Sequence, residues 1–171
     1  MEKNVKLTGR VWVIPQPDVD TDMIFHNRHL AITEIKQMAP FTFGNLKGWE
    51  DFPQKSKPGD IIITGHNFGC GSSRQQAVDC FSALGIKAII GESFGAIYFR
   101  NAVNSGMPII NAPGILKCGI KSGDEITIDL QKSTIICPKK NISCQAQPFS
   151  SVQMDIYQAG DLFAYGKNLI N

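Results

Sequence analysis

The segment between residues 61 and 110 constrains the fold most strongly, because short apolar runs alternate there with longer amphipathic stretches. The apolar runs at 61–64, 88–90 and 107–110 have the length and β-branched content of buried strands. Strands that are joined by helical crossovers run parallel, since only a tight turn would reverse the chain direction. The pattern therefore predicts an α/β fold with a parallel sheet at its core.

The two stretches between these runs carry helical signals. The first is predicted to be a helix that starts near Ser72 or Ser73 and ends at Gly85, a residue suited to a left-handed C-terminal position. Its apolar residues recur at helical spacing: Ala77, Phe81 and Leu84. The second is predicted to begin at a Ser93 cap and to end at Gly106. Its apolar residues are also expected to share one face: Phe94, Ile97, Tyr98 and Ala102.

The N-terminal third is less regular. A strand is predicted at 10–14, and Pro15 and Pro17 end it because proline donates no hydrogen bond to a sheet. Residues 26–60 show no sustained periodicity apart from a short helix candidate at 33–38. Irregular segments of this length often carry function or form an interface.

The C-terminal third changes character again. Residues 125–130 alternate with period two, and a second strand candidate at 133–137 follows, so a hairpin is predicted. A last helix is predicted at 150–164. We expect these extra β elements to pack at one side of the parallel sheet, within a single domain that spans residues 1–171.

Composition narrows the class of protein. The formal charge of +2 lacks the basic excess expected of a nucleic-acid-binding surface. No apolar stretch is long enough to span a membrane, and the N-terminus lacks the core of a signal peptide. We therefore expect a cytoplasmic protein with neither a nucleic acid nor a membrane as partner.

The cysteines also favour a cytoplasmic protein. The five cysteines are odd in number and include no Cys-x-x-Cys pair: Cys70, Cys80, Cys118, Cys137 and Cys144. A disulfide framework or a self-contained zinc or iron–sulfur site is not expected from this pattern. The interpretation favoured is a set of reduced thiols, mostly buried as small apolar residues.

The loop at 65–74, which reads Gly-His-Asn-Phe-Gly-Cys-Gly-Ser-Ser-Arg, is the best candidate for a binding site. Ligands of open α/β sheets bind beyond the carboxyl ends of the strands, where this loop is expected. Ser72 and Ser73 would place hydroxyls at the positive end of a helix, and Arg74 adds a planar fork of donors. This combination suits an anion, especially a carboxylate. The alternative is that a serine merely caps the helix and Arg74 is a solvated charge.

Three other kinds of loop are excluded by the same residues. A P-loop requires Gly-Lys-Ser/Thr, whereas Gly71 is followed by serine and the loop has no lysine. A dinucleotide fingerprint requires a small residue where Arg74 stands. A nucleophile elbow requires a Gly-x-Ser-x-Gly sequence, which residues 65–74 do not contain.

An acidic turn precedes the irregular segment. Asp18, Asp20 and Asp22 alternate in a way that hard cations accept, but the glycine and the terminal glutamate of a calcium loop are missing. Turn and cap chemistry is the favoured interpretation. The histidines lack metal-binding spacing and are expected at the surface or behind a site: His26, His29 and His66.

Four segments occur in order along the chain: Asp-Val-Asp-Thr-Asp at 18–22, the Gly-Cys-Gly-Ser-Ser-Arg loop at 65–74, Gly-x-Ser-Phe at 91–94, and a run from Asn101 to Gly106. Together they resemble the small subunit of 3-isopropylmalate dehydratase, which is the swivelling domain of the aconitase superfamily. The resemblance implies a swivelling β/β/α fold and a hetero-oligomeric hydro-lyase of leucine biosynthesis. A large partner subunit would carry the [4Fe–4S] cluster, and this chain would bind no metal and be inactive alone.

The resemblance also implies roles for individual residues. The reaction would dehydrate a hydroxy-dicarboxylic acid reversibly, usually with rehydration at the neighbouring carbon. Ser72 would be the base that removes the proton. Ser73 and Arg74 would bind the substrate carboxylate, and Thr21 and Asp22, at the edge of the site, would also be substrate-binding residues.

Two departures from the family bear on substrate choice. Gln75 and Gln76 stand where the family commonly has Glu-His. The loop that sets specificity in the family contains Arg28, Leu30, Ala31 and Ile32 in this chain. Homoaconitases typically have an arginine just after the loop's leucine, where this chain has alanine.

These residues leave several substrates open. The apolar lining favours a branched alkyl substituent, as on 3-isopropylmalate. Homoaconitate is an alternative substrate, because Arg28 would reach its extra carboxylate. Methylmalate and dimethylmalate are further alternatives. A different class of function, a non-enzymatic domain that binds a small anion, is the remaining alternative.

Overall fold

The computed structural model describes residues 2–170, which form a seven-stranded sheet flanked by helices. The strand order across the sheet is β4-β3-β2-β1-β5-β6-β7. The bounds are β1 Lys6–Ile14, β2 Ile61–Thr64, β3 Ala88–Gly91, β4 Ile109–Asn111, β5 Glu125–Asp129, β6 Thr134–Cys137 and β7 Ile142–Gln145. The α/β fold class and the parallel core predicted from the sequence are confirmed.

Strand β1 joins a parallel half of the sheet to an antiparallel half. Its second part pairs in parallel with β2, from Val11 opposite Ile61 to Ile14 opposite Thr64. Its first part, from Lys6 onward, pairs antiparallel with β5. The predicted strand at 10–14 captured only the parallel part, because the preceding residues lack an apolar run. The predicted hairpin of β5 and β6 is confirmed, whereas β7 carried no strand signal and forms by pairing with β6.

The helices lie at α1 Thr21–Ile24, α2 Phe52–Lys55, α3 Gln76–Ala83, α4 Ala96–Asn104, α5 Ser151–Ala159 and α6 Leu162–Ile170. Residues 26–60 contain mainly short turns of 3₁₀ helix, at Asn27–His29, Ile35–Gln37 and Ala39–Phe41. The helix candidate at 33–38 corresponds to the second of these. No helix between residues 2 and 170 combines the length and apolar character needed to cross a membrane.

The single last helix predicted at 150–164 is wrong, because the chain breaks it in two. Gly160 adopts a φ of 114° after α5. The Asp161 carboxylate then accepts a hydrogen bond from the Ala164 amide at 2.7 Å, as a cap of the next helix does. The two helices therefore meet at an angle that one continuous helix would not allow.

Two buried clusters cover the two faces of the sheet. In β2, Ile62 faces one cluster while Ile61 and Ile63 face the other, as expected of a strand covered on both sides. The first cluster is rich in aromatic residues from the irregular segment, the loop at 65–74, and α3 and α4: Phe25, Phe43, Phe52, Phe68, Phe81 and Tyr98. The carboxyl ends of β1, β2 and β3 meet at one edge of the sheet, which is where the candidate site lies.

Candidate active site

The acidic turn and the glycine-rich loop run side by side beyond the carboxyl ends of β1 and β2. The Asp18 amide donates to the His66 carbonyl at 2.9 Å, and the Thr21 amide donates to the Cys70 carbonyl at 3.0 Å. These bonds continue the parallel pairing of β1 and β2 past the sheet, where Asp20 and Cys70 form an isolated bridge. Two motifs that are far apart in the sequence thus become one surface.

Glycines allow the loop to lie against α4. Gly69 has a φ of 75°, and a Cβ there would overlap the ring of Tyr98. Gly95, the N-cap of α4, approaches the loop so closely that a Cβ would lie 2.8 Å from the Gly69 carbonyl oxygen. Tyr98 is fully buried and donates its hydroxyl to the Ala77 carbonyl at 3.0 Å. The loop is therefore held between α3 and α4 by close packing.

The predicted start of the first helix at Ser72 or Ser73 is wrong, since α3 begins at Gln76 with Gln75 as its N-cap. A helix that included Ser73 would need the Ser72 carbonyl as an acceptor for Gln76. That carbonyl instead accepts the Thr21 hydroxyl at 2.8 Å. Ser72 and Ser73 therefore lie in the loop before α3, where both are exposed.

A run of free donors precedes α3. Between residues 2 and 170, the amide N–H groups of residues 72–76 make no hydrogen bond, and neither does the Ser72 hydroxyl. Amides at a helix N-terminus carry partial positive charge and attract anions. The loop therefore presents several free donors close in sequence to the two serine hydroxyls.

The Arg74 side chain is largely buried and hydrogen-bonded, which is contrary to the alternative that it is a solvated charge. Its side chain is only 14% exposed, and its Nη1 donates to Asp22 Oδ1 at 2.7 Å and to the Phe25 carbonyl at 3.1 Å. These contacts use one of the three guanidinium nitrogens. In the described part of the chain, the Nε and Nη2 atoms have no acceptor, which leaves the edge that matches a carboxylate with two parallel hydrogen bonds.

Asp22 holds this arginine in place. Its Oδ1 also accepts from the Asn27 amide at 3.0 Å, and its Oδ2 accepts from Asn45 Nδ2 at 3.1 Å. The hydrogen bond from Arg74 lowers the pKa of the Asp22 carboxyl below its ordinary value, despite the opposing effect of burial. Asp22 is thus a fixed anion that orients Arg74 rather than a proton donor at neutral pH.

The other two acidic residues of the turn accept hydrogen bonds from nearby groups. Asp20 caps α1 by accepting from the Met23 amide at 2.9 Å, which confirms the cap chemistry predicted for it. Asp18 accepts from Asn67 Nδ2 at 2.8 Å. Residues 2–170 contain no group of three histidine, cysteine or acidic side chains that could hold a metal ion.

The predicted capping role of Ser93 is wrong. Gly95 occupies the N-cap of α4, and the Ser93 hydroxyl accepts from the Asn67 amide at 2.8 Å and contacts His66 Nδ1 at 2.7 Å. Ser93 therefore braces the glycine-rich loop instead of the helix. Phe94 precedes α4 and packs on Phe68, with the ring centroids 6.3 Å apart.

The second predicted helix face also needs correction. Tyr98 and Ala102 are buried, but Ile97 is 43% exposed. Since α4 starts at Ala96, its buried face is set by where Gly95 meets the loop rather than by a cap at Ser93.

The predicted specificity loop lies against the start of α3. The Leu30 carbonyl accepts from Gln76 Nε2 at 3.4 Å, while the Leu30 and Ala31 side chains are exposed. Ile32 is half-buried against the aromatic cluster. Arg28 is exposed and donates its Nε to His29 Nε2 at 3.0 Å, so no hydrogen bond joins it to the Arg74–Asp22 pair.

Two asparagines at the site carry no functional signal in the sequence. Asn45 supports Asp22, as described above, and no pattern in the irregular segment signalled it. Asn101 donates its Nδ2 to Ser73 Oγ at 3.2 Å. Asn101 lies in the fourth segment that carries the family resemblance, but the resemblance assigns it no role.

The cysteines are free thiols: Cys70, Cys80, Cys118, Cys137 and Cys144. Three of them are buried, which agrees with the predicted role as small apolar residues. Burial raises the pKa of Cys80 to about 12, so its thiol stays protonated near neutral pH. Cys70 is the one that lies in the loop at 65–74, and burial raises its pKa as well.

Comparisons with known proteins find relatives over most of this chain. A family model described as the aconitase C-terminal domain matches residues 44–113. The 3-isopropylmalate dehydratase small subunit of Thermodesulfovibrio yellowstonii is 36% identical over 167 residues, covering 98% of this chain and 97% of that protein. The methanogen homoaconitase small subunit of Methanocaldococcus jannaschii is 41% identical over 151 residues, covering 88% of this chain and 85% of that protein.

A solved structure resembles the whole fold. The crystal structure of 3-isopropylmalate dehydratase from Methanocaldococcus jannaschii superposes with a TM-score of 0.88 and 38% identity. The match covers 96% of this chain and 95% of that one. With both sequence and fold shared over nearly the full length, this chain belongs to the family of 3-isopropylmalate dehydratase small subunits.

Proposed function

We propose that this chain is the small subunit of a cytoplasmic, hetero-oligomeric hydro-lyase that dehydrates and isomerises 3-isopropylmalate in leucine biosynthesis. The observation that carries the proposal is the free Ser72 hydroxyl in the loop that also holds the unpaired Nε–Nη2 edge of Arg74. The names of the relatives support the same reaction class.

Substrate binding follows from the donors at the loop. The Nε and Nη2 atoms of Arg74 would bind one substrate carboxylate with two parallel hydrogen bonds. The Ser73 hydroxyl and the free amides of residues 72–76 would complete its coordination. Asp22 keeps the guanidinium oriented, because it occupies Nη1 and leaves the other edge to the ligand.

Ser72 would take the proton from the carbon next to a substrate carboxylate. A serine hydroxyl is a poor base in water, so its alkoxide must be stabilised. The free amides before α3 and the Arg74 guanidinium supply positive potential there, and their effect grows when the partner closes the site and excludes water. The Thr21 hydroxyl, bound to the Ser72 carbonyl, fixes the backbone that carries this group.

The metal chemistry would come from the partner. The large subunit would hold the [4Fe–4S] cluster, which is supported by the family of this chain and by relatives that are named small subunits. A cluster bound there would supply an open iron to polarise the leaving hydroxyl and a substrate carboxylate. The task of this chain is then to hold the substrate and move its proton.

The exposed apolar side chains of the specificity loop favour an alkyl substituent. Leu30 and Ala31 present apolar surface next to the start of α3, which suits the isopropyl group. Homoaconitate is the second candidate, because Arg28 has a solvent-exposed guanidinium and a homoaconitase subunit is among the similar relatives. The distal carboxylate of homoaconitate would bind the Nη1 and Nη2 atoms of Arg28, because His29 occupies only Nε.

Co-purification of this chain with its large subunit tests the proposal. We expect a complex with iron–sulfur absorbance that turns over 3-isopropylmalate faster than homoaconitate, methylmalate or dimethylmalate. A complex without cluster absorbance, or without turnover of any of these acids, would contradict it.

Calorimetry on the isolated chain separates the enzyme subunit from the anion-binding module. Half of an active site should bind 3-isopropylmalate weakly. Tight binding of this acid, or of phosphate, by the chain alone would favour the non-enzymatic alternative.

A further inference from the structure

A series of hydrogen bonds connects Ser73 to a half-buried carboxylate on α3. It runs from Asp79 through the Gln75 and Ser105 side chains to the main-chain carbonyl of Asn101, and the Asn101 side chain contacts Ser73. We propose that Asn101 and Gln75 are positioning residues, which hold the Ser73 hydroxyl with its proton directed to the substrate carboxylate. This inference rests on the proposed function, in which Ser73 binds that carboxylate.

Gln75 anchors this series of hydrogen bonds because its Nε2 atom donates to two acceptors. Its Nε2 donates to Asp79 Oδ1 at 2.9 Å and to Ser105 Oγ at 2.5 Å. A carboxylate only accepts hydrogen bonds, so Asp79 fixes which end of the amide faces it. Burial raises the pKa of Asp79, and the Gln75 hydrogen bond opposes this effect by stabilising the charged form. A glutamate at position 75 would donate no hydrogen bond to either acceptor.

Ser105 connects α3 to α4 through its hydroxyl group. Its hydroxyl accepts from Gln75 and donates to the Asn101 carbonyl at 2.9 Å, so both of its roles are used. Gln75 is the N-cap of α3 and Ser105 is the C-cap of α4. The contact therefore ties the start of one helix to the end of the other, next to the motif.

Asn101 completes the series at the site. Its Nδ2 donates to Ser73 Oγ at 3.2 Å, so the serine oxygen acts as an acceptor on that side. The Ser73 hydroxyl is then free to donate to a ligand, because its proton has no acceptor within hydrogen-bonding distance in residues 2–170. The direction of the hydrogen bonds is what makes Ser73 a donor to an anion.

The test compares Asn101→Asp with Asn168→Asp in the complex with the large subunit. Aspartate at 101 accepts a hydrogen bond from the Ser73 hydroxyl and places a negative charge beside the substrate carboxylate. We expect KM for 3-isopropylmalate to rise at least about tenfold, with kcat changed less than about threefold, because Ser73 binds the ground state and the transition state alike. Asn168→Asp adds the same charge at an exposed position on α6 and should leave KM unchanged.

Equal KM values for the two variants would overturn the inference. If Asn101→Asp fails to assemble, Asn101→Ala serves in its place, with an expected KM rise of about threefold to tenfold. An unchanged KM in that variant would overturn the inference equally.

A double variant tests the part played by Gln75. Gln75→Leu and Asn101→Ala should each raise KM, and the double variant should raise it by less than the product of the two, since both act on Ser73. A full product would show that Gln75 acts independently of Asn101, which contradicts the proposal. Failure of the proposed function is distinct, because the wild-type complex would then show no turnover at all.

Discussion

Arg74 and Asp22 form an ion pair across 52 residues of sequence, with Nη1 and Oδ1 2.7 Å apart. The pair joins the glycine-rich loop to the acidic turn at the carboxyl edge of the parallel strands. Because Asp22 and the Phe25 carbonyl both use Nη1, the opposite edge of the guanidinium is left for a ligand. The salt bridge therefore orients the guanidinium while leaving its Nε–Nη2 edge free of contacts within residues 2–170.

The lowered pKa of Asp22 predicts a pH-dependent contribution to stability. Its folded-state pKa lies below the unfolded value of about 3.9. The stabilisation is therefore fully present above that unfolded value and is lost as the pH falls through the lower folded-state value. The difference in free energy of unfolding between wild type and Asp22→Asn should shrink from pH 6 to about pH 3 in urea titrations.

The same measurement in an Arg74→Met background provides the control. Without the guanidinium, Asp22→Asn should produce a much smaller pH-dependent difference. An equal difference in both backgrounds would mean that Arg74 is not the main cause.

Removal of the Ser72 hydroxyl should separate catalysis from binding. Ser72→Ala is expected to lower kcat by at least about 100-fold, while KM changes less than about threefold and the complex assembles normally. Steady-state kinetics with 3-isopropylmalate measure this. Ser82→Ala, an exposed serine on α3, is the matched control and should retain wild-type kcat. Wild-type kcat in Ser72→Ala would exclude this serine as the base.

Gly69 should be far less tolerant of a side chain than another glycine with positive φ. At Gly69 a Cβ combines left-handed strain with overlap of the Tyr98 ring, whereas at Gly48, with a φ of 87°, nothing lies within 4 Å. Gly69→Ala should cost about 2–4 kcal/mol and Gly48→Ala about 1 kcal/mol in urea unfolding. Equal costs would show that the packing of the loop on α4 contributes little.

An arginine in the specificity loop should shift substrate preference. Ala31→Arg is expected to lower kcat/KM for 3-isopropylmalate at least about tenfold and to raise the relative activity toward homoaconitate, because it places a charge where the alkyl group would lie. Thr33→Arg adds the same charge at an exposed position two residues further on and should have little effect. If both variants behave alike, the loop does not set specificity through position 31.

The parallel half of the fold was readable from local sequence. The runs at 61–64 and 88–90 become β2 and β3, because a strand buried on both faces must be apolar at every position. The proposal that the loop binds an anion also came from local sequence, namely from its serines, its arginine and its glycines. Gly85 and Gly106 mark helix ends because each adopts a positive φ there, of 73° and 69°.

Other features depended on partners distant in sequence. Helix α3 starts at Gln76, and the Ser72 carbonyl that a longer helix would use accepts the Thr21 hydroxyl instead. Strand β7 exists because β6 pairs with it, and α4 starts at Ala96 because Gly95 meets the loop.

The sequence by itself determined which residues are available at the site: two serines and an arginine after a buried strand, with an acidic turn elsewhere. Only the tertiary structure decided which donors remain free. Asp22 occupies one guanidinium nitrogen of Arg74, and Asn101 sets the direction of the Ser73 hydrogen bond. The physical reason is that each polar group has few hydrogen-bonding positions, and partners from distant segments decide which of them are taken.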